Sequence, residues 1–299
     1  MKFHTSVLLN ECVDGLNIHK NGIYIDGTFG GGGHSRAIAN MANCVVGIDK
    51  DIDAIKNGAI NKNITLVHGD FCEMDDITKD LGITGVDGIL LDLGVSSYQI
   101  DTAERGFSYI KMGQLDMRMD TSTSKTAQYV VNTYTPQQLT KIFREYGEEP
   151  FAKIIATAIT KERTKTPIKT TTQLANVITE NTPKKLGLAP VKRVFQAIRI
   201  EVNSELDTLK KTLHTAINLL NVGGRLCIIT FHSLEDRIVK QTYNDLQNPC
   251  ICPRDMPQCG CGYKPKIKIV TKKPILPSPM EIKKNPRAKS AKLRIAQKI

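Results

Sequence analysis

The sequence predicts an α/β fold: an open, largely parallel sheet covered by helices and interrupted by a helical insertion. Three observations carry this. Short runs rich in Ile, Val and Leu (GIYIDGTFG, VVGIDK, ITLVHGD and GILLDLG) each end at an acid or a glycine, and helical segments fit between them. That alternation is the βαβ signature of a parallel sheet with both faces covered. The rhythm then stops after Asp92 and resumes only at GRLCIITF, and 299 residues suffice for one large core with an inserted second domain.

The elements follow in order. The first strand, GIYID, runs into DGTFGGGGHS, Asp26 to Ser35, where a glycine-rich turn aims backbone N–H groups and the next helix's N-terminus into the crevice where open α/β sheets bind ligands. The second strand ends at Asp49, and the third leads into the helix FCEMDDI, opened by Phe71. The fourth ends in the turn Asp92-Leu93-Gly94-Val95. Thr135-Pro136 has the form of an N-cap with proline at the first helical position, leading through QQLTKIFREYG; FAKIIATAITKER and TTQLANVITEN also have helical spacing. Residues 105–203 are therefore assigned to the helical insertion, and 1–104 with 204–299 to the sheet domain. The helix NSELDTLKKTLHTAINLL is expected to end at Gly223-Gly224 before the sheet resumes. In FHSLEDR, Ser233 and Asp236 fit an S-x-x-D capping box, and KIKIV near the end reads as an edge strand.

Composition narrows the function classes. No stretch approaches the roughly 20 apolar residues of a membrane span. The N-terminal apolar run is too short for the core of a signal peptide, so no membrane association and a cytoplasmic location are expected. Eight cysteines in such a chain are expected to be thiols or metal ligands rather than disulfides. From Lys264 to Ile299 there are twelve Lys or Arg against one acid, Glu281, so this tail alone accounts for the whole chain's net charge of +11. A basic patch of that kind neutralises nucleic-acid phosphates, or is simply a solvated extension.

The glycine turn fails the dinucleotide register G-x-G-x-x-G, whose third glycine would fall on Ser35. The spacing acid-x-x-x-Gly-x-Gly, on Asp26, Gly30 and Gly32, instead resembles the first motif of S-adenosylmethionine-dependent methyltransferases, with Thr28 where the first glycine usually stands. Asp49 would accept bonds from ribose hydroxyls, as it also would in an NAD enzyme, and a side chain at Gly32 is expected to enter ligand space. Further strings occur in order: HTSVLLNE at 4–11, YIDGTFGGGGHS at 24–35, GILLDLGVSS at 88–97, AERGFS at 103–108, LDMRMD at 115–120, YGEEPFAKIIA at 146–156, FQAIRIEVNSEL at 195–206, FHSLEDRIVK at 231–240 and NPRAKSAKLRIA at 285–296. Together they resemble the bacterial 16S ribosomal RNA (cytosine-N4)-methyltransferase family. The resemblance implies a Rossmann-like class I methyltransferase sheet with an inserted all-helical domain that recognises RNA. It implies methylation of a cytidine in the decoding region of 16S rRNA, as naked RNA or in the small ribosomal subunit, with S-adenosylmethionine as cofactor. Matched motifs carry the family's cofactor site onto Gly32, Gly33, His34, Asp49, Phe71, Asp92 and Gln99.

Chemistry adds candidates. Cytosine N4 is a poor nucleophile because its lone pair is delocalised into the ring, so an acceptor for the amino hydrogens favours attack; Asp92 is the nearest. The sequence has D-L-G-V where many exocyclic-amine methyltransferases carry [DNS]-P-P-[YFW], so Tyr98, Phe107 and Tyr109 are candidates to stack the base. His232 is the second catalytic candidate, with a purely structural role equally open. Lys184, Lys185, Lys192, Arg193 and Arg199 are candidates for an RNA-facing surface of the insertion. Cys250, Cys252, Cys259 and Cys261, in PCICPRDMPQCGCG, read either as a zinc clip or as a reduced loop without an ion; Cys12, Cys44, Cys72 and Cys227 read as small core residues. A dehydrogenase and a non-catalytic RNA-binding protein are the rival functions.

Overall fold

The four apolar runs form adjacent parallel strands: β1 (Ile23–Asp26), β2 (Cys44–Asp49), β3 (Ile64–His68) and β4 (Val86–Asp92). The computed structural model describes residues 6–58, 61–252 and 260–299. The sheet is completed by β5 (Leu220–Thr230), parallel to β4, and by β6 (Ile267–Ile269) and β7 (Lys292–Lys298) in the order β3-β2-β1-β4-β5-β7-β6, with β7 antiparallel to both neighbours. Strand order reverses between β1 and β4, so the chain leaves these two strands in opposite directions and opens a crevice at their carboxyl ends.

The central strands are mostly apolar because both their faces are covered. Successive side chains alternate: Tyr24, Val45, Leu90, Cys227 and Ile229 enter one core layer, and Ile25, Val46, Leu91, Leu226 and Ile228 the other. Helices Leu9–Leu16 and Gly33–Ala39 close the first layer with Cys12, Leu16 and Ile38; helices Glu205–Leu219 and Ser233–Gln247 close the second with Leu209, Leu213, Ile217, Val239 and Tyr243.

Two compact units are present, one running to Gly94 and resuming over Leu206–Ile299, the other Val95–Glu205. The second has its own core, in which Leu139, Phe143, Ile155, Leu174, Val194 and Ile198 are buried between helices Ala127–Thr133, Pro136–Glu145, Ala152–Lys165, Thr171–Glu180 and Ala189–Asn203. Thr135 caps the second of these in a capping box with Gln138, with Pro136 at its start.

The chain differs from the sequence expectation at two junctions. The helix before β5 stops at Leu219, and Gly223-Gly224 lie inside the strand. Gly223 has φ +89°, and pairing with β4 shifts between Val86↔Leu220 and Gly88↔Arg225, so the glycines serve an irregularity in the strand rather than a helix stop. The basic tail, in turn, is largely built into the fold. β7 pairs with β5 from Thr230↔Lys292 to Arg225↔Gln297. Arg294 donates to Asp236 at 2.6 and 3.2 Å, Lys292 Nζ reaches the same carboxylate at 3.3 Å, and Lys298 Nζ donates to the carbonyls of Asn218 and Leu220. Lys264, Lys266, Lys268, Lys272, Lys273, Lys283, Lys284 and Lys289 remain exposed. No helix among the described residues is long and apolar enough to cross a membrane.

A chain ending at residue 284 is expected not to fold, because it loses the strand that joins β5 to β6. Full-length protein with Lys283, Lys284 and Lys289 changed to Gln should melt within about 2 °C of wild type, as surface changes do. Circular dichroism melts check both.

Candidate functional site

The turn after β1 is held from both sides by carboxylates. Asp26, fully buried, accepts from Thr28 N–H at 3.2 Å and from Ser35 Oγ at 2.6 Å, tying the strand end to the helix Gly33–Ala39. Asp49, at the end of β2, accepts from Gly30 N–H at 2.7 Å through Oδ2 and from Asp51 N–H at 2.8 Å through Oδ1. Thr28 Oγ1 accepts the Asp92 N–H at 2.6 Å, so the residue standing where the methyltransferase motif usually has glycine links the turn to the end of β4. Sequence reasoning gave Asp26, Thr28 and Ser35 no such roles, and only the strand–turn–helix context of the motif pointed to them.

The glycines differ in purpose. Gly30 and Gly32 adopt left-handed backbone, φ +50° and +68°. The space beside Gly32 is filled by protein, since a Cβ there would stand 2.6 Å from Phe29 Cζ and 2.9 Å from an Arg36 terminal nitrogen. A side chain on Gly33 would strike Ser6. The open side of the turn is at Gly30, where a Cβ would meet only the Thr28 carbonyl at 3.8 Å. Gly32 therefore serves the close packing of the turn, contrary to the expectation that its missing side chain leaves ligand space.

Asp92 stands at the end of β4 with Oδ1 buried and without a hydrogen-bond partner. Its Oδ2 lies 3.8 Å from His34 Nδ1. His34 is buried, and its Nε2 lies 3.0 Å from the Val7 carbonyl, which can only accept, so Nε2 carries a proton. Burial pushes the Asp92 carboxyl up to about 6, with His34 opposing the shift and the Asp26 and Glu235 charges adding to it. Burial likewise raises Asp49 to about 6, against the lowering effect of its two backbone donors. Phe71 follows β3 as the first residue of the short 3₁₀ turn Phe71–Glu73, half-buried against the core; a Cβ on Gly27 would stand 3.0 Å from its Cβ, which puts it beside the start of the glycine turn. Gly32, Gly33, His34, Asp49, Phe71 and Asp92 thus all lie at the carboxyl ends of β1 to β4. Gln99 belongs to the other unit, buried in the helix Ser97–Asp101, where it completes a capping box with Ser96.

The structure gives His232 a defined task. His232, not Ser233, is the N-cap of the helix Ser233–Gln247: its Nδ1 accepts from Glu235 N–H at 3.4 Å, while Glu235 Oε2 accepts from the N–H groups of Phe231 and His232 at 2.8 and 3.2 Å. Asp236 pairs instead with Arg294. The sequence pattern misplaced the cap by one residue because histidine is not among the residues that usually occupy it. His232 Nε2 is buried 3.2 Å from Glu235 Oε1 without a hydrogen-bond partner.

Other candidates separate. Phe107 and Tyr109 pack against the core of the second unit, Tyr109 edge-on to Phe195 at 5.7 Å, while Tyr98 is 52% exposed. Arg193 is committed to buried Glu149 at 2.7 Å and Arg199 to Glu205 at 2.9 Å through two nitrogens, which leaves Lys184, Lys185 and Lys192 exposed. Cys12 and Cys227 are buried, and burial pushes the Cys227 thiol up to about 12, so it is inert. The sulfurs of Cys250, Cys252 and Cys261 lie within 4.8 Å of one another; Cys259 lies outside the described residues.

A crevice with open space at a glycine turn, and a buried carboxylate oxygen lacking a partner, fits a ligand that brings hydroxyls and positive charge. The model of the MraW methylase family matches residues 1–299. The chain is 49% identical to ribosomal RNA small subunit methyltransferase H of Clostridioides difficile, over all of both chains. It is 50% identical to the proteins of the same name from Lachnospira eligens and Carboxydothermus hydrogenoformans, in each case over 99% of this chain and 98% of the relative.

His232→Ala should cost about 0.5–2 kcal/mol of stability, the usual value of an N-cap, and His232→Asn should recover most of it. Urea unfolding of the two variants checks this, and methylation by the Asn variant at wild-type rate would remove His232 from the chemistry.

Proposed function

The chain belongs to the MraW methylase family, and on that premise we propose that it transfers a methyl group from S-adenosylmethionine to the exocyclic N4 of a cytidine in the decoding region of 16S ribosomal RNA. The observation that supports this best is Asp92: a half-buried carboxylate whose Oδ1 is buried and unpartnered, at the crevice end of β4, its basicity raised to about 6. Family membership sets aside the dehydrogenase, and an intact set of cofactor-facing carboxylates gives no support to a purely RNA-binding role. The reaction belongs to the cytoplasm, where its RNA substrate is assembled into the small subunit.

When bound, S-adenosylmethionine supplies a methyl group on a sulfonium, an electrophile for in-line displacement. The chain's residues hold and align. Asp49 keeps lone pairs for ribose hydroxyls beyond its two backbone donors, Phe71 gives an apolar surface for the adenine, and the turn at Gly30 lets backbone approach the methionine part. Gly32, Gly33 and His34 shape that turn. Asp92 accepts an N4 hydrogen of the cytosine, which returns the nitrogen lone pair from the ring, and then takes the proton that N4 loses on methylation. An acid of pKa about 6 is ionised at neutral pH yet basic enough to receive that proton. The exposed lysines of the tail, together with Lys184, Lys185 and Lys192, contact RNA phosphates.

Mass spectrometry of 16S rRNA treated with the enzyme and methyl-labelled cofactor is expected to find the label on N4 of one cytidine; label on another base or on a ribose would overturn the reading. Asp92→Asn should lower single-turnover rate by about 10²-fold or more, the scale of general acid–base catalysis, on RNA that the variant still binds. Changing Lys283, Lys284 and Lys289 together to Gln should lower the log–log salt slope of RNA binding by roughly two to three units, at about 0.7–0.9 per phosphate contact. An unchanged slope would make these charges ordinary solvated surface.

A further inference from the structure

The connection between the helix Ser233–Gln247 and β6 has no regular secondary structure among its described residues. Its base is closed by Lys266 N–H donating to the Leu246 carbonyl at 2.9 Å and by Ile269 N–H donating to Gln247 Oε1 at 2.7 Å. Between these points lie roughly twenty residues, a length at which structureless loops are uncommon in compact domains. Its described residues, 248–252 and 260–265, form neither helix nor strand. Their apolar side chains do not build a core: Ile251 is 74% exposed and Tyr263 59% exposed.

What does converge in this loop is sulfur. Cysteine is among the most buried residue types, yet Cys250 is exposed and Cys252 and Cys261 are only half-buried. Their three Sγ atoms nonetheless lie within 4.8 Å of one another, with Cys250 Sγ and Cys261 Sγ 3.8 Å apart. A disulfide needs sulfurs at about 2.05 Å and would use only two of the three. Four sulfurs arranged tetrahedrally at about 2.3 Å from zinc are about 3.8 Å from one another, which is the Cys250–Cys261 separation. Cys250 and Cys252 have C-x-C spacing, and Cys261 is followed by Gly262 in left-handed backbone, φ +68°.

We propose that Cys250, Cys252 and Cys261 bind one zinc ion as thiolates, and that the ion staples this loop to itself at the outer edge of the sheet. Binding converts three thiols to thiolates and releases their protons to solvent, and the fourth position of the tetrahedron is left to a donor beyond these three. The ion is structural and takes no part in methyl transfer. Soft thiolate ligands select zinc over magnesium or calcium.

Reduced full-length protein should carry about one zinc per chain by metal analysis. Cobalt(II) in its place should give intense thiolate-to-cobalt charge-transfer absorption and the d–d bands of a tetrahedral site. The double variant Cys250→Ser, Cys261→Ser should lose at least about tenfold in zinc affinity while its far-ultraviolet circular dichroism matches wild type, and Cys44→Ser should bind as wild type does. Folded, reduced protein that gives no cobalt–thiolate absorption would overturn the proposal, as would zinc held equally well by the double variant.

Discussion

Asp26 is the constraint on which the functional end of the sheet depends. A carboxylate with no exposure to solvent is tolerable only where donors meet it, and here the donors are the Thr28 N–H and the Ser35 hydroxyl, on either side of the glycine turn. The two bonds fix where β1 ends and where the next helix begins. From that fixed turn Gly30 reaches Asp49 and Thr28 reaches the Asp92 backbone, so the ends of β1, β2 and β4 are tied to one another by hydrogen bonds before any ligand arrives. Preorganisation of this kind is what an in-line displacement requires, because the protein's contribution lies in alignment rather than in covalent chemistry.

The arrangement also explains why two carboxylates in one crevice are raised to about 6. Asp49 and Asp92 stand half-buried at the same end of the sheet, where desolvation raises both, and each feels Asp26. Asp49 is partly compensated by two backbone donors, whereas Asp92 has an oxygen with none. Carboxylates shifted upward favour the protonated folded state: the stability they give is present at acidic pH, below the ordinary carboxylate value near 3.8, and is lost as pH rises through about 6. At neutral pH the apo protein therefore holds charge that a cationic ligand would relieve.

Much of the fold was legible because it rests on local patterns. The first four strands are unbroken apolar runs ending at an acid or glycine, and Thr135-Pro136 announces its helix by capping chemistry. β7 was obscured by its own cations: Lys292, Arg294 and Lys298 dominate KLRIAQK, and the alternation of Leu293 and Ile295 into one core layer against Ala296 into the other emerges only when Arg294 is matched to Asp236. The glycine pair after the long helix carried a stop signal that the strand uses for an irregularity instead. At the site, residue types identified the carboxylates, but the partners that define them (Ser35 for Asp26, Thr28 for the Asp92 backbone, Glu235 for the His232 cap) are tertiary or involve an unusual capping residue.

The most direct measurement is calorimetric affinity for S-adenosylmethionine between pH 8 and pH 5, on wild type and on Asp49→Asn. If the ionised carboxylates hold the cofactor, wild-type affinity falls at least about tenfold as pH drops through 6, and Asp49→Asn binds weakly at pH 8 with a shallower pH dependence. Wild-type affinity that stays level across the range, or that the substitution leaves unchanged at pH 8, would contradict the assignment of the crevice as the cofactor site.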